Sequence, residues 1–278
     1  MAIRNLQPVA KAESGSALVS FLAARLGLTK RQAKDLLNSR SVLVNRRRVW
    51  MARHRLSRGD IVSIQEASAP SSCADDSEII YEDDDLLIVN KRPGRLSNGY
   101  NSLESSLRKT TGNMNLKAVH RLDRDTSGCL ILAKNQETEE AMIALFRRKA
   151  VRKTYHVIAL GRVEPREITL RIPVDGEEAC THIRTLDANR RATHLLATPE
   201  TGRTHQIRRH LQQLGHPVAG DRQYGTARRI TGPETAVRRQ MLHASTVEFA
   251  HPRTGRRVFA RAPLPRDFRT ALVAFGLT

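Results

Sequence analysis

Two carboxylates, Asp123 and Asp125, alternate with Arg121 and Arg124 in the stretch His120–Gly128, HRLDRDTSG. A carboxylate among arginines stays ionised, because nearby positive charge favours the charged form. An ionised carboxylate suits nucleophilic attack or the stabilisation of developing charge. Spacing alone leaves a second reading open, a structural Asp–Arg bridge on a basic surface. A second polar cluster, TGRTHQIRRHLQQLGHPVAGD, runs from Thr201 to Asp221. His205 and His210 are five residues apart and no H-E-x-x-H occurs, so a helical metal pair is not expected. The chain has no G-x-S-x-G, no G-x-x-x-x-G-K-[ST] and no G-x-G-x-x-G. Serine hydrolase, P-loop and dinucleotide chemistries are therefore unsupported.

The elements that would position these clusters follow from hydrophobic periodicity. Residues 79–90 read as a strand, an acidic turn and a strand, followed by a Pro/Gly loop over 91–99. Residues 116–120 and 128–134 read as buried strands on either side of the Asp123 loop. Residues 137–149 have helical spacing, with Ala141, Leu145 and Phe146 on one face, and 154–160 alternate as a strand. The second cluster starts as a turn and continues as a helix to Gly215. Strands and helices mix without a βαβ rhythm, which predicts an α+β domain on a mixed, mostly antiparallel sheet rather than a doubly wound one.

The 278 residues carry 47 Lys+Arg against 28 Asp+Glu, a formal charge of +19, which points to a polyanionic partner, with nucleic acid leading. The charge is +10 over residues 1–65, −8 over 66–85 and +17 over 86–278. The acidic block opens on EASAPSSCADDSE and reads as a linker. The expected division is a small domain over 1–65, a linker over 66–78 and a large domain over 79–278. No stretch is apolar for long enough to span a membrane, and no secretory signal opens the chain. Cys73, Cys129 and Cys180 are scattered, so neither a disulfide framework nor a four-cysteine zinc site is expected, and a cytoplasmic setting is. In the small unit, Ala17, Leu18, Phe21, Leu22 and Leu26 have helical spacing with Gly27 as the stop. Thr29 caps a second helix bearing Ala33, Leu36 and Leu37. SVLVNRRRV reads as two short strands around an Asn-Arg turn, and LSRGDIVSI as a turn and a strand.

Two short helices followed by a basic β-turn unit resemble the S4 RNA-binding domain over about residues 16–65. The resemblance rests on Lys30-Arg31, Val42-Leu43-Val44-Asn45 and Gly59-Asp60-Ile61-Val62. Ser41 stands where a glycine commonly precedes the Val-x-Val-Asn run. The run His120–Gly128 resembles the central motif of the RluA-type pseudouridine synthases. Further segments match that family in order: Tyr81-Glu82-Asp83-Asp84 with Asn90-Lys91, then Lys153-Thr154-Tyr155. They are followed by Thr201–Arg208, His216–Asp221, Leu242-His243-Ala244 and Pro263-Leu264-Pro265. The family resemblance covers residues 79–270. It implies an isomerase that flips a uridine out of structured RNA, cleaves its N-glycosidic bond and rejoins the rotated uracil through carbon. It implies no metal and no organic cofactor.

On the matching positions, the resemblance implies Asp123 as the essential aspartate, either as nucleophile or in assisting glycal formation. Arg208 pairs with it, and Tyr155 stacks on the uracil. Arg121 fills the gap left by the flipped base. Ile207 walls the pocket, and Lys153 and His205 complete the substrate contacts. His120 and His205 read as structural histidines rather than acid–base catalysts, Asp125 as a loop acceptor, and Thr126 and Ser127 as turn formers. Arg92 and Arg95 depart from the family pattern in the 91–99 loop. The expected partner is structured RNA, large-subunit ribosomal RNA ahead of tRNA, with no DNA, no membrane and a monomeric protein.

Overall fold

The computed structural model describes residues 2–38, 42–49, 51–66, 77–225 and 237–278. Ser41, Cys73 and most of the expected linker lie outside them. The chain divides into two compact units. One takes residues up to Asp76 together with Asn98–Thr110; the other takes Ser77–Ser97 and Thr111–Thr278.

Among its described residues, which include a 3-10 turn at Lys11–Glu13, the first unit has four strands and two α-helices before the 98–110 segment. They are β1 (Ala2–Asn5), α1 (Leu18–Leu26), α2 (Lys30–Asn38), β2 (Val42–Val44), β3 (Arg47–Arg48) and β4 (Val62–Glu66). The sheet is antiparallel in the order β1-β4-β2-β3. Asn45 and Arg46 link β2 to β3 with φ of 50° and 64°, the two positive φ values of a twist-matched two-residue hairpin. The apolar spacing read from the sequence forms the core: Leu18, Phe21 and Leu22 of α1 pack with Ala33, Leu36 and Leu37 of α2 and with Val42, Val44 and Val62. β1 has no counterpart in the sequence reading.

The second unit is built on one large sheet. Its strands are β5 (Glu78–Glu82), β6 (Leu86–Lys91), β7 (Lys117–Ala118), β8 (Ser127–Ala133), β9 (Arg152–Leu160), β10 (Glu167–Leu170), β11 (Thr181–Ala188), β12 (Ala192–Pro199), β13 (Leu242–Ala250) and β14 (Arg257–Arg261). The order along the sheet is β10-β11-β12-β9-β13-β8-β6-β5, with β14 on β13 and β7 on β8. Every pairing is antiparallel except β13 with β8, so the sheet is mixed and mostly antiparallel as expected. The remaining helices are α3 (Leu103–Thr111), which belongs to the first unit as far as Thr110, α4 (Gln136–Arg147), α5 (Gln206–Gln213) and α6 (Arg266–Phe275).

β8 is buried along its whole length, which its run GCLILA requires of a strand covered on both faces. Met142 and Leu145 of α4 cover one part of the sheet with Ile88, Ile131 and Phe249. Phe268, Leu272 and Phe275 of α6 cover another, over Ile158 and Ala192. Asn135 caps α4 by accepting from the Thr138 N–H at 2.8 Å. No helix among the described residues is long and apolar enough to cross a membrane.

Candidate active site

Asp123 lies in the loop between β7 and β8, and buried polar groups fix that loop. Lys91, at the end of β6, is fully buried, and its Nζ donates to the carbonyls of Arg92, Arg95 and Arg124 at 3.1, 2.8 and 3.0 Å. One ammonium thus ties the 91–99 loop to the Asp123 loop. Burial pushes that ammonium down to about 7, against the opposing pull of Asp125 and Asp123. Ser97 Oγ donates to the Leu122 carbonyl and accepts the Leu122 N–H, both at 2.9 Å. At the far end, Ser127 bonds His243 Nδ1 at 2.9 Å, while His243 Nε2 faces the Ala262 carbonyl at 3.2 Å. Thr126 and Ser127 are therefore buried anchors, more than turn formers. Gly128, at φ +112°, lets β8 meet β13: a Cβ there would stand 2.1 Å from the Ala244 carbonyl oxygen.

Arg208 comes from α5, on the far side of β12 in sequence, and its guanidinium joins two carboxylates. Its Nε and Nη2 hold Asp221 at 2.6 and 2.9 Å, and its Nη1 donates to Asp123 Oδ2 at 2.8 Å. Asp221 is fully buried and also accepts the N–H groups of Gln223 and Tyr224. The Tyr224 ring lies under the guanidinium at 4.9 Å. Burial alone would lower the Arg208 pKa, but the Asp221 hydrogen bonds and the Asp123 charge raise it overall. Burial raises the Asp221 pKa, but the Arg208 hydrogen bonds and charge together with the Tyr224 and Gln223 N–H groups hold it below the usual carboxylate value. The planar fork is thus divided, Nε and Nη2 on the buried anchor and Nη1 on Asp123, with Nη2 also 3.5 Å from Gln223 Oε1.

Asp123 takes its Arg208 and Gln240 hydrogen bonds on one oxygen. Its Oδ2 also accepts from Gln240 Nε2 at 3.2 Å, and the same amide donates to Thr126 Oγ1 at 2.8 Å. Its Oδ1 faces His205 Nε2 at 3.6 Å, beyond hydrogen-bond distance, and the carboxylate side chain is 25% exposed. The Tyr224 hydroxyl accepts from Gln223 at 3.2 Å and meets His205 Nδ1 at 3.0 Å. Tyr224 thus holds the imidazole at Nδ1, with Nε2 turned toward Asp123. Burial lowers the His205 pKa, favouring the neutral ring. His205 holds φ +57° at the start of α5, a left-handed turn that aims the helix.

The other residues singled out by sequence lie on β9, on α5 and in the Asp123 loop. Tyr155 is buried in β9, opposite Ala197 of β12 and Ala244 of β13, and burial together with the Asp123 charge raises its phenol pKa. Ile207 is buried in the first turn of α5, beside Arg208 in sequence. Arg121 is exposed. Lys153 holds its Nζ 5.6 Å from the Phe146 ring, and burial lowers its pKa. His120 accepts the Ile131 N–H through Nε2 at 3.1 Å, and burial holds its pKa down at about 3, so it is a neutral structural group. Asp125 takes a two-point bond from Arg124. Sequence reasoning gave no role to Gln240, Tyr224, Lys91 or Asp221. Of these, only Lys91 and Asp221 fall within segments that resemble the family motifs.

The sequence profile of the family described as RNA pseudouridylate synthase matches residues 85–213. The ribosomal large subunit pseudouridine synthase C of Vibrio cholerae is 32% identical, with 93% of each chain covered. The chain belongs to the RNA pseudouridine synthase family. A Bacillus subtilis relative, the uncharacterized RNA pseudouridine synthase YlyB, is 34% identical over 86% of this chain and 87% of its own. The fold agrees with the solved structure of human RNA pseudouridylate synthase domain containing 4, at a TM-score of 0.61 and 23% identity. That match covers 72% of this chain and 94% of that one. As an RNA pseudouridine synthase the protein is an isomerase, converting uridine in RNA to pseudouridine. The family profile ends at residue 213, so Asp221 and Gln240, which complete the Asp123 cluster, lie beyond it.

Proposed function

We propose that this pseudouridine synthase modifies uridine in large-subunit ribosomal RNA, with Asp123 as the essential carboxylate. The Arg208–Asp123 contact at 2.8 Å carries this reading, because the other edge of Arg208 is clamped on buried Asp221. Such a clamp aims one carboxylate with little freedom, as catalysis of a bond exchange requires. The reacting oxygen is Oδ1, since Oδ2 is occupied by Arg208 and Gln240. Both routes use that oxygen: attack on the target nucleotide, or assistance in forming a glycal. Tyr155 and Ile207 supply the apolar, stacking side of the pocket, and Arg121 occupies the place of the flipped base. Lys153 and His205 contribute positive or hydrogen-bonding edges near the target.

The ribosomal target rests on the Vibrio cholerae relative, whose name specifies the large ribosomal subunit. The S4-like first unit supports it, with Arg31 and Lys34 on α2 and Arg46 and Arg47 at the hairpin all exposed. Pseudouridine mapping in RNA from cells with and without the protein tests the target. Sites lost from large-subunit RNA support the reading, and sites lost only from tRNA overturn it. Asp123→Asn, which keeps volume and removes charge, is expected to abolish tritium release from C5-labelled uridine RNA while RNA binding persists. Turnover within about tenfold of wild type, or ~1.4 kcal/mol of barrier, rejects Asp123 as the essential residue.

A further inference from the structure

Cys180, His182 and Glu200 lie together at the open end of the β11–β12 hairpin. Cys180 and His182 are two residues apart in extended chain, so their side chains share a face. The Glu200 N–H donates to the Cys180 carbonyl at 3.0 Å, which sets Glu200 across from Cys180. His182 Nε2 is 4.0 Å from Cys180 Sγ and 2.5 Å from Glu200 Oε1. The three ligand atoms all lie within 4.8 Å of one another.

Both neighbours meet the same ring nitrogen. A nucleophile–base–acid triad needs the thiol on one imidazole nitrogen and the carboxylate on the other. Here the second nitrogen, Nδ1, is taken by Thr169 Oγ1 at 2.9 Å. Three potential ligand atoms within 4.8 Å of one another match a coordination set better. Thiolate, imidazole and carboxylate are zinc ligands, and their two negative charges match a divalent ion. With Zn–S near 2.3 Å and Zn–N near 2.0–2.1 Å, tetrahedral geometry sets S···N at about 3.6 Å and N···O at about 3.3 Å. The thiol–imidazole separation is already close to that. Glu200, with its side chain 38% exposed, has room to swing outward by the remainder. With the Thr169 hydroxyl accepting the hydrogen bond of Nδ1–H, Nε2 is left for a metal. Arg171, near both Cys180 and Glu200, and Lys149, near Cys180, are the opposing charges.

We propose that Cys180, His182 and Glu200 form a zinc site, with water in the fourth position. The site is structural. It joins two strands at the root of the turn that leads into α5, where Thr201 accepts the Cys180 N–H and donates to Gln206. The other three-ligand cluster among the described residues, Asp83 with Asp85 and His251, has its carboxylates taken by Arg253 and Tyr81, each at 2.5 Å.

The test titrates Zn²⁺ into the full-length, chelator-treated protein against a chromophoric chelator, and repeats the titration with Co²⁺. One Zn²⁺ per chain is expected, with affinity at least about tenfold weaker in Cys180→Ser, His182→Ala and Glu200→Gln. Cys73→Ser should bind as wild type does. Co²⁺ should give a near-ultraviolet thiolate-to-cobalt band that Cys180→Ser lacks. Zn²⁺ should raise the melting temperature of wild type but not of His182→Ala. The His182 and Glu200 side chains are 44% and 38% exposed, so their variants should melt as wild type does without metal. Absence of Zn²⁺ binding by wild type, or unchanged affinity in Cys180→Ser and His182→Ala, overturns the site.

Discussion

Arg208 and Gln240 between them take Asp123 Oδ2, and that division of one carboxylate sets the chemistry expected of single substitutions. Arg208→Lys keeps the charge and removes the fork, so one ammonium cannot span both Asp221 and Asp123 in the same plane. Turnover should fall by about a hundredfold or more, the scale of losing one preorganised charged donor, with RNA affinity changing far less. Activity surviving while affinity collapses would mean that Arg208 contacts phosphate instead. Gln240→Ala removes one hydrogen bond to the carboxylate and leaves Thr126 without its amide partner. A charge-assisted bond is worth roughly 1.5–3 kcal/mol, so single-turnover rates should drop roughly tenfold to a hundredfold. A Gln240→Ala rate within about twofold of wild type excludes it as a positioning residue, because that corresponds to less than ~0.5 kcal/mol.

The β8–β13 pairing is the only parallel one among the described strands, and it brings the Asp123 loop beside the segment that carries Gln240. Its closeness depends on Gly128, where any Cβ meets the Ala244 backbone. Gly128→Ala combines that clash with a φ of +112°, which side chains rarely adopt. The expected cost is at least about 3 kcal/mol in urea unfolding, with isomerase activity disappearing in parallel. A loss below about 1 kcal/mol would show that the two strands can part cheaply. Lys91 acts at the same level, since its three carbonyl bonds join two loops that a sequence window treats as separate.

Across the whole molecule, the excess of positive charge and a set of buried and half-buried histidines govern the response to salt and pH. Changing Arg31, Lys34, Arg46 and Arg47 to glutamine should weaken RNA binding and flatten its salt dependence. The slope should fall by roughly 0.7–0.9 for each phosphate that the protein no longer neutralises. Unchanged affinity and slope would exclude the first unit from RNA binding. His120, His156 and His243 are held down by burial to about 3, 4 and 4, against about 6.5 when unfolded. In that window the unfolded chain binds more protons than the folded one, so stability rises with pH. It should be fully present above pH 6.5 and decline steadily toward pH 4. Urea midpoints that stay flat from pH 7 to pH 4.5 would contradict the neutral state of these rings.

Features that depend on neighbours in the chain were legible in the amino-acid order. The strand runs at 79–90 and 128–134, the α4 and α5 periodicity, the α1–α2 core and the Asn45–Arg46 turn are all local patterns, and all formed. The family motifs likewise singled out Asp123, Tyr155 and Arg208. Strands β10 to β12 went unread because polar residues interrupt their alternation, as in THIRTLDA, where a bulge falls between Thr185 and Asp187. Which oxygen of Asp123 takes the Arg208 and Gln240 hydrogen bonds follows from the folded arrangement alone. Arg208 and Gln240 reach it from positions 85 and 117 residues away, and their distances depend on how strands distant in sequence pair. The grouping of Asn98–Thr110 with the first unit is of the same kind. Cys180, His182 and Glu200 converge for the same reason. A hairpin sets residues eighteen to twenty apart face to face, and spacing along the chain carries no trace of that.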